Sequence, residues 1–187
     1  MKNAKTKCLC EAAIMLALAQ ILGYLVLFKL PNGGSIDCAM LPILLFCVRY
    51  GVGWGAGIGF VHGLLQYFLG NGISIDWTTM IADYLIAYTL MGIGAGLFRG
   101  KRGGVYFGTL VGGTLRFLSS FVVGATVWAK WMPDEFWGMP MTNNWVYSAL
   151  YNATWAVPDI CIVLALFALL YRPLKKYFTG ADLEAAA

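Results

Sequence analysis

A chain of 187 residues, 60% hydrophobic and 12% charged, with a mean hydropathy of +0.72, is not a soluble domain, in which about a quarter of residues are charged. It has the length of a single membrane domain. Its net charge of +4 is no nucleic-acid signal, because the basic residues flank apolar runs.

A membrane-crossing helix needs about 20 apolar residues. The apolar runs predict an all-α integral membrane protein with six transmembrane helices, over residues 8–28, 37–49, 53–69, 78–98, 104–128 and 146–171. The second and third are short and close together, so five crossings is the fallback. Residues 1–178 form one domain, and 179–187 read as a vector remnant or disordered tail. The first run lacks a small-residue cleavage site, so it reads as a helix, not a signal peptide. Five cysteines, Cys8, Cys10, Cys38, Cys47 and Cys161, are odd in number and scattered. They suit neither a disulfide framework nor a zinc site and read as small hydrophobes.

Basic residues set the orientation. Lys2, Lys5 and Lys7 precede the first helix and Arg49 follows the second. Arg99, Lys101 and Arg102 lie between the fourth and fifth, and Arg172, Lys175 and Lys176 follow the sixth. Six crossings place all of these on one side, which is then the cytoplasm, with both termini. Lys29 and Lys130 are left outside; Arg116 lies within the fifth helix. Five crossings would split the basic clusters between the two sides.

In the first helix, Ala13 and Ala17 form a small-xxx-small pair that permits close approach of another helix, a common pattern. Glycines 51, 53, 55, 57, 59 and 63 suit tight packing of the third helix. The outer loop 129–144 carries Trp131, Pro133, Phe136, Trp137 and Pro140, as a lid or as a segment lying on lipid. The last helix opens with Tyr147, Tyr151 and Trp155 on one face and Asn152 one step round. This is either an interfacial aromatic belt or the wall of a site for a flat, partly polar molecule. The amide, which needs a partner on an apolar helix, favours the site.

An ionisable group inside a membrane costs about 2.5–3.5 kcal/mol on insertion scales, so each needs a reason. Asp83, beside Tyr84 and ahead of Tyr88, could pair with a cationic ligand or with Arg116. Arg116 lies deeper, which favours a structural role against carbonyls or Asp159. His62 and Gln66, four apart, share a face and could line a cavity, but a lone histidine is more often a core residue. No partner stands at metal spacing. Asp159 follows Pro158, where a kink frees backbone groups.

No nucleophile elbow, phosphate loop, HExxH or CxxC occurs, so nothing points to an enzyme, and any use of ATP must come from a partner. A self-sufficient secondary transporter would call for coupling-ion sites and usually internal repeats, and neither is visible.

Several local motifs carry a resemblance along nearly the whole chain. They are Ser35-Ile36-Asp37, Met40-Leu41-Pro42-Ile43, Arg49-Tyr50-Gly51, Gly63-Leu64-Leu65-Gln66 and Asp83-Tyr84-Leu85-Ile86-Ala87-Tyr88. With them stand the two most diagnostic, Arg116-Phe117-Leu118-Ser119-Ser120-Phe121 with Gly124 and Trp128, and Tyr147-Ser148-x-x-Tyr151-Asn152. Together they resemble the substrate-binding S component of an energy-coupling factor (ECF) vitamin transporter, closest to the thiamin-specific family. The resemblance implies a multi-pass protein of the plasma membrane with an outward-facing vitamin pocket. Ala13 and Ala17 would dock on a transmembrane coupling subunit, itself carried by two ATPase subunits. An acidic residue at the position of Asp83 would hold the pyrimidine end of thiamin, with Tyr84, Trp128, Tyr147 and Asn152 at matching pocket positions. His62, Ser120 and Tyr151 complete the candidate set, and no cofactor or metal is expected. A cation over an aromatic face gains about 0.5–2 kcal/mol.

The chain departs from that family pattern at three places. Ser120 stands where the family has a ligand-packing histidine, and His62 stands where it has a pocket tryptophan. The first outer loop, Pro31-Asn32-Gly33-Gly34, carries no aromatic. These changes imply either a repacked thiamin site or a related ligand such as a pyrimidine precursor.

Overall fold

A computed structural model describes residues 2–30, 33–70 and 73–184. Pro31 and Asn32 of the first outer loop, and residues 185–187 of the tail, lie outside them. The helices are α1 (Lys2–Tyr24), α2 (Met40–Tyr50), α3 (Val52–Phe68), α4 (Trp77–Gly96), α5 (Gly104–Thr126), α6 (Asn144–Phe178) and a short α7 (Ala181–Glu184). Two antiparallel hairpins accompany them. Strands β1 (Phe28–Lys29) and β2 (Ser35–Ile36) form the first, and β3 (Glu135–Phe136) and β4 (Met139–Pro140) the second. Helix α1 from Ala4, and α4, α5 and α6, are long and apolar enough to cross a membrane.

A helix stands at each of the six expected positions, with shifted ends, and four of the six have the length and apolarity to cross a membrane. Helix α1 starts earlier, through its lysines, and α6 runs past Tyr171 to Phe178. Helix α2 begins at Met40 because Asp37 turns the chain ahead of it, its Oδ1 accepting from the Ala39 N–H at 2.9 Å. At 11 residues α2 is about 16 Å long, half of a bilayer core. It is apolar all round, and its Ile43, Leu44, Phe46 and Cys47 are fully buried, as expected of a helix at the centre of a bundle.

Helices α3 and α4 meet backbone to backbone. Gly55 faces the Gly92 carbonyl, Gly59 the Tyr88 carbonyl and Gly63 the Tyr84 carbonyl, one contact per helical turn. A Cβ at Gly63 would fall 2.5 Å from the Tyr84 oxygen. Small residues therefore set this approach, as in other membrane helix pairs. Helix α4 is not regular. Asp76 and Thr79 close a capping box, residues Met80–Ile86 form a π-helical turn, and α-geometry resumes at Ala87–Gly96. The Ser119 hydroxyl donates to the Ala82 carbonyl within that turn at 3.1 Å.

At the far end of the bundle Arg49 is buried, 3% exposed. It donates to Glu11 of α1, to both carboxylate oxygens of Asp182 in α7 at 2.8 and 2.9 Å, and to the Tyr177 carbonyl at 2.6 Å. Residues Ala181–Glu184 form the short helix that supplies Asp182 to this cluster.

Helix α1 turns Cys8, Ala12, Met15, Leu16 and Ala19 to the core. Ala13 and Ala17 are exposed, beside the exposed Ile14, Leu18 and Ile21.

Candidate binding chamber

The upper halves of α4, α5 and α6 enclose about 980 Å³ of atom-free space, open mouth included. Gly33, Gly34 and Ser35 of the first loop and Ile73 of the next loop stand over it, with Gly23 of α1 and Gln66 of α3 at one side.

Each wall has a local cause. The π-helical turn presents Asp83 and Tyr84, and the α-turn after it Tyr88. An Asp83 carboxylate oxygen accepts from the Trp128 indole N–H at 3.0 Å, and Trp128 opens a 3₁₀ turn, Trp128–Trp131, just past α5. The Tyr84 hydroxyl accepts from the Ile73 N–H at 2.8 Å and is 3.2 Å from the Ile73 carbonyl, which anchors the roof. Helix α6 starts at Asn143, whose side chain accepts from the Trp145 and Val146 N–H groups. The four-residue spacing then brings Tyr147, Tyr151 and Trp155 to the chamber together.

The polar groups of α6 are engaged. The Asn152 amide donates to the Ser148 carbonyl at 2.9 Å and accepts from the Trp155 indole at 3.2 Å. The Ser148 hydroxyl donates to the Phe121 carbonyl at 2.7 Å. The Tyr151 hydroxyl accepts from the Gly34 N–H at 3.1 Å, a second tie to the roof. Phe136 of the outer hairpin packs edge-on against Tyr147 at 5.4 Å and tilted against Tyr151 at 6.1 Å. The turn between β3 and β4, Trp137-Gly138, has positive φ at both residues, 54° and 74°, the signature of a tight two-residue hairpin.

Arg116 also lines the chamber. Its guanidinium lies over the rings of Tyr88 and Trp155, 4.6 and 4.4 Å from their centroids, and donates to the Tyr88 hydroxyl at 3.1 Å. Its ion-pair partner is Asp159, at 3.7 Å.

Of the residues singled out in the sequence, Asp83, Tyr84, Ser120, Trp128, Tyr147, Tyr151 and Asn152 all line the chamber. His62 does not. It is fully buried and sits edge-on to Tyr88, 4.8 Å away, behind the wall. Gln66, one turn on, is the residue of that face that reaches the chamber. The expectation that both would line one cavity fails because α3 lies so close to α4 that its middle is sealed. Trp155 lines the chamber as the aromatic face of the last helix suggested, whereas Tyr88 and Ser148 were not put forward as site residues.

Fold and chamber together define a polytopic helical membrane protein with a small-molecule compartment under its loops. The sequence profile described as thiamine transporter protein (Thia_YuaJ) matches residues 9–179. The thiamine transporter ThiT of Bacillus subtilis (strain 168) is 32% identical, over 87% of this chain and 89% of that protein. ThiT of Lacticaseibacillus paracasei is 26% identical, over 92% and 90%. A solved structure of ThiT from Listeria monocytogenes superposes with a TM-score of 0.79, covering 93% of this chain and 98% of that one. At 19% identity it speaks for the fold.

The chain belongs to the Thia_YuaJ thiamine transporter family. It is a multi-pass protein of the plasma membrane, in a family of transporters and not of enzymes.

Proposed function

We propose that the chain is the high-affinity thiamin-binding S component of an ECF-type, ATP-driven vitamin uptake transporter. It would cross the membrane six times with both termini in the cytoplasm, and α2 and α3 would complete the bundle. The observation that carries the ligand reading is the charge of the chamber. Its lining has two charged side chains, Asp83 and Arg116. Arg116 is paired with Asp159, whereas Asp83 accepts from the neutral indole of Trp128. A carboxylate facing a compartment walled by Trp128, Tyr147, Tyr84 and Trp155 suits a flat monocation, and thiamin is one.

The partner reading rests on α1. Ala13 and Ala17 lie on an exposed stripe with Ile14, Leu18 and Ile21, a surface on which a coupling subunit with its two ATPases would dock. The test is quenching of intrinsic tryptophan fluorescence in detergent as thiamin is added, with a thiamin pyrimidine precursor alongside. Saturable quenching by thiamin supports the reading. A response to another heterocycle alone would keep the fold and change the ligand, with Ser120 the first residue to exchange. Uptake into vesicles only when the coupling subunit and ATPases are present tests the second half.

A further inference from the structure

Arg116 packs its guanidinium over two wall aromatics, Tyr88 and Trp155. That role needs its planar shape but brings a positive charge into the chamber. Asp159 stands behind it. Asp159 is fully buried, is not part of the lining, and its Oδ1 accepts from the Asp37 N–H at 3.0 Å. Its Oδ2 is buried without a hydrogen-bond partner, 3.7 Å from Arg116 Nη1. The nearby Asp37 carboxylate makes its own hydrogen bonds elsewhere, accepting from the Ser35 hydroxyl and the Ala39 N–H. A carboxylate oxygen held without a hydrogen bond in a membrane interior is unfavourable unless a charge opposes it, and Arg116 is that charge.

We propose that Asp159 is a specificity-determining positioning residue. By cancelling Arg116 from behind the wall, it leaves Asp83 as the unopposed charge of the chamber and so selects a ligand with one positive charge. This rests on the thiamin reading. Asp159→Asn is the informative change, because the amide oxygen still accepts from the Asp37 N–H while the charge is gone.

The purified protein is titrated with thiamin and with its uncharged isostere, in which carbon replaces the quaternary ring nitrogen. The readout is the ratio of the two dissociation constants. Asp159→Asn should lower the preference for the cation on the order of tenfold, the effect of one charge acting across a few ångströms at an intermediate dielectric. The double variant R116Q/D159N, which removes both charges, should restore it. An unchanged ratio in Asp159→Asn overturns the proposal, as does a lowered ratio that the double variant leaves low. If Asp159→Asn does not fold, Arg116→Gln carries the test in the opposite sense. With Asp159 uncancelled the preference must rise, and an unchanged or lowered ratio again overturns the proposal. Wild-type protein that binds neither compound removes the thiamin reading too, whereas binding with an insensitive ratio removes only the role of Asp159.

Discussion

The Trp128 indole N–H and the Asp83 carboxylate meet at 3.0 Å, joining the end of α5 to the irregular turn of α4. The contact orients the carboxylate and holds an aromatic ring beside it, so one hydrogen bond fixes both the charge and the flat face a cationic ring would meet. Asp83→Asn keeps the shape and removes the charge. Loss of one partner of a buried charge pair costs about 2–5 kcal/mol, so thiamin affinity should fall by about 30-fold or more in a calorimetric titration. Trp128→Phe keeps a ring and loses the donor, and should weaken binding less.

The close approach of α3 and α4 predicts an asymmetry among glycines. A Cβ at Gly59 would run into the Tyr88 carbonyl, whereas Gly57 faces open space. Gly59→Ala should destabilise the protein by about 1–3 kcal/mol, the usual cost of overpacking. Gly57→Ala should be neutral or slightly stabilising, since alanine is the better helix former. Thermal unfolding in detergent distinguishes the two.

Phe136 of the outer loop touches two chamber aromatics, Tyr147 and Tyr151. Removing it should open the mouth more than it changes the walls. Phe136→Ala should raise the ligand dissociation rate several-fold, in keeping with about 0.5–1.5 kcal/mol per aromatic pair, with a smaller change in association rate. Stopped-flow fluorescence measures both.

Asp182 accepts two hydrogen bonds from Arg49, and this pairing holds its carboxyl below the ordinary value of 3.8. The unfolded chain therefore takes up the proton first as pH falls. The stabilising contribution is complete above the ordinary carboxylate range and is lost as pH drops through the lower folded-state value. Asp182→Asn should lower the melting temperature at neutral pH and flatten its decline below about pH 4. An acid limb unchanged in Asp182→Asn would show that the contact does not persist in solution.

Much of the site was legible because it follows spacing. Residues 147, 151 and 155 recur every four positions, and a helix can only stack them on one face. Asp83 and Arg116 stood out because charge is scarce in apolar helices. Pairing was harder to read. Arg116 had both Asp83 and Asp159 as candidates, and only the three-dimensional arrangement gives it to Asp159. His62 takes the core position that a lone histidine usually holds, because its helix face reaches the chamber at Gln66 and packs against α4 one turn earlier, at the Gly59–Tyr88 contact. Arg49, read as a topological signal, is also a structural hub, and no local pattern announces partners 38 and 133 positions away.

The wide turn at Met80–Ile86 makes the direction of the Asp83 carboxylate a matter of chain length. Below it, α4 is locked to α3 through Gly55 and Gly59, so that half cannot rotate to compensate. Dropping one residue between Asp83 and Tyr88 would swing the acid by about 100°, the angle per residue of an α-helix, while every side chain kept its identity. Ligand preference in such a scaffold can change by insertion or deletion as readily as by replacement. A scan confined to single substitutions would never sample that route, and a one-residue gap at this turn in a relative would mark a different pocket.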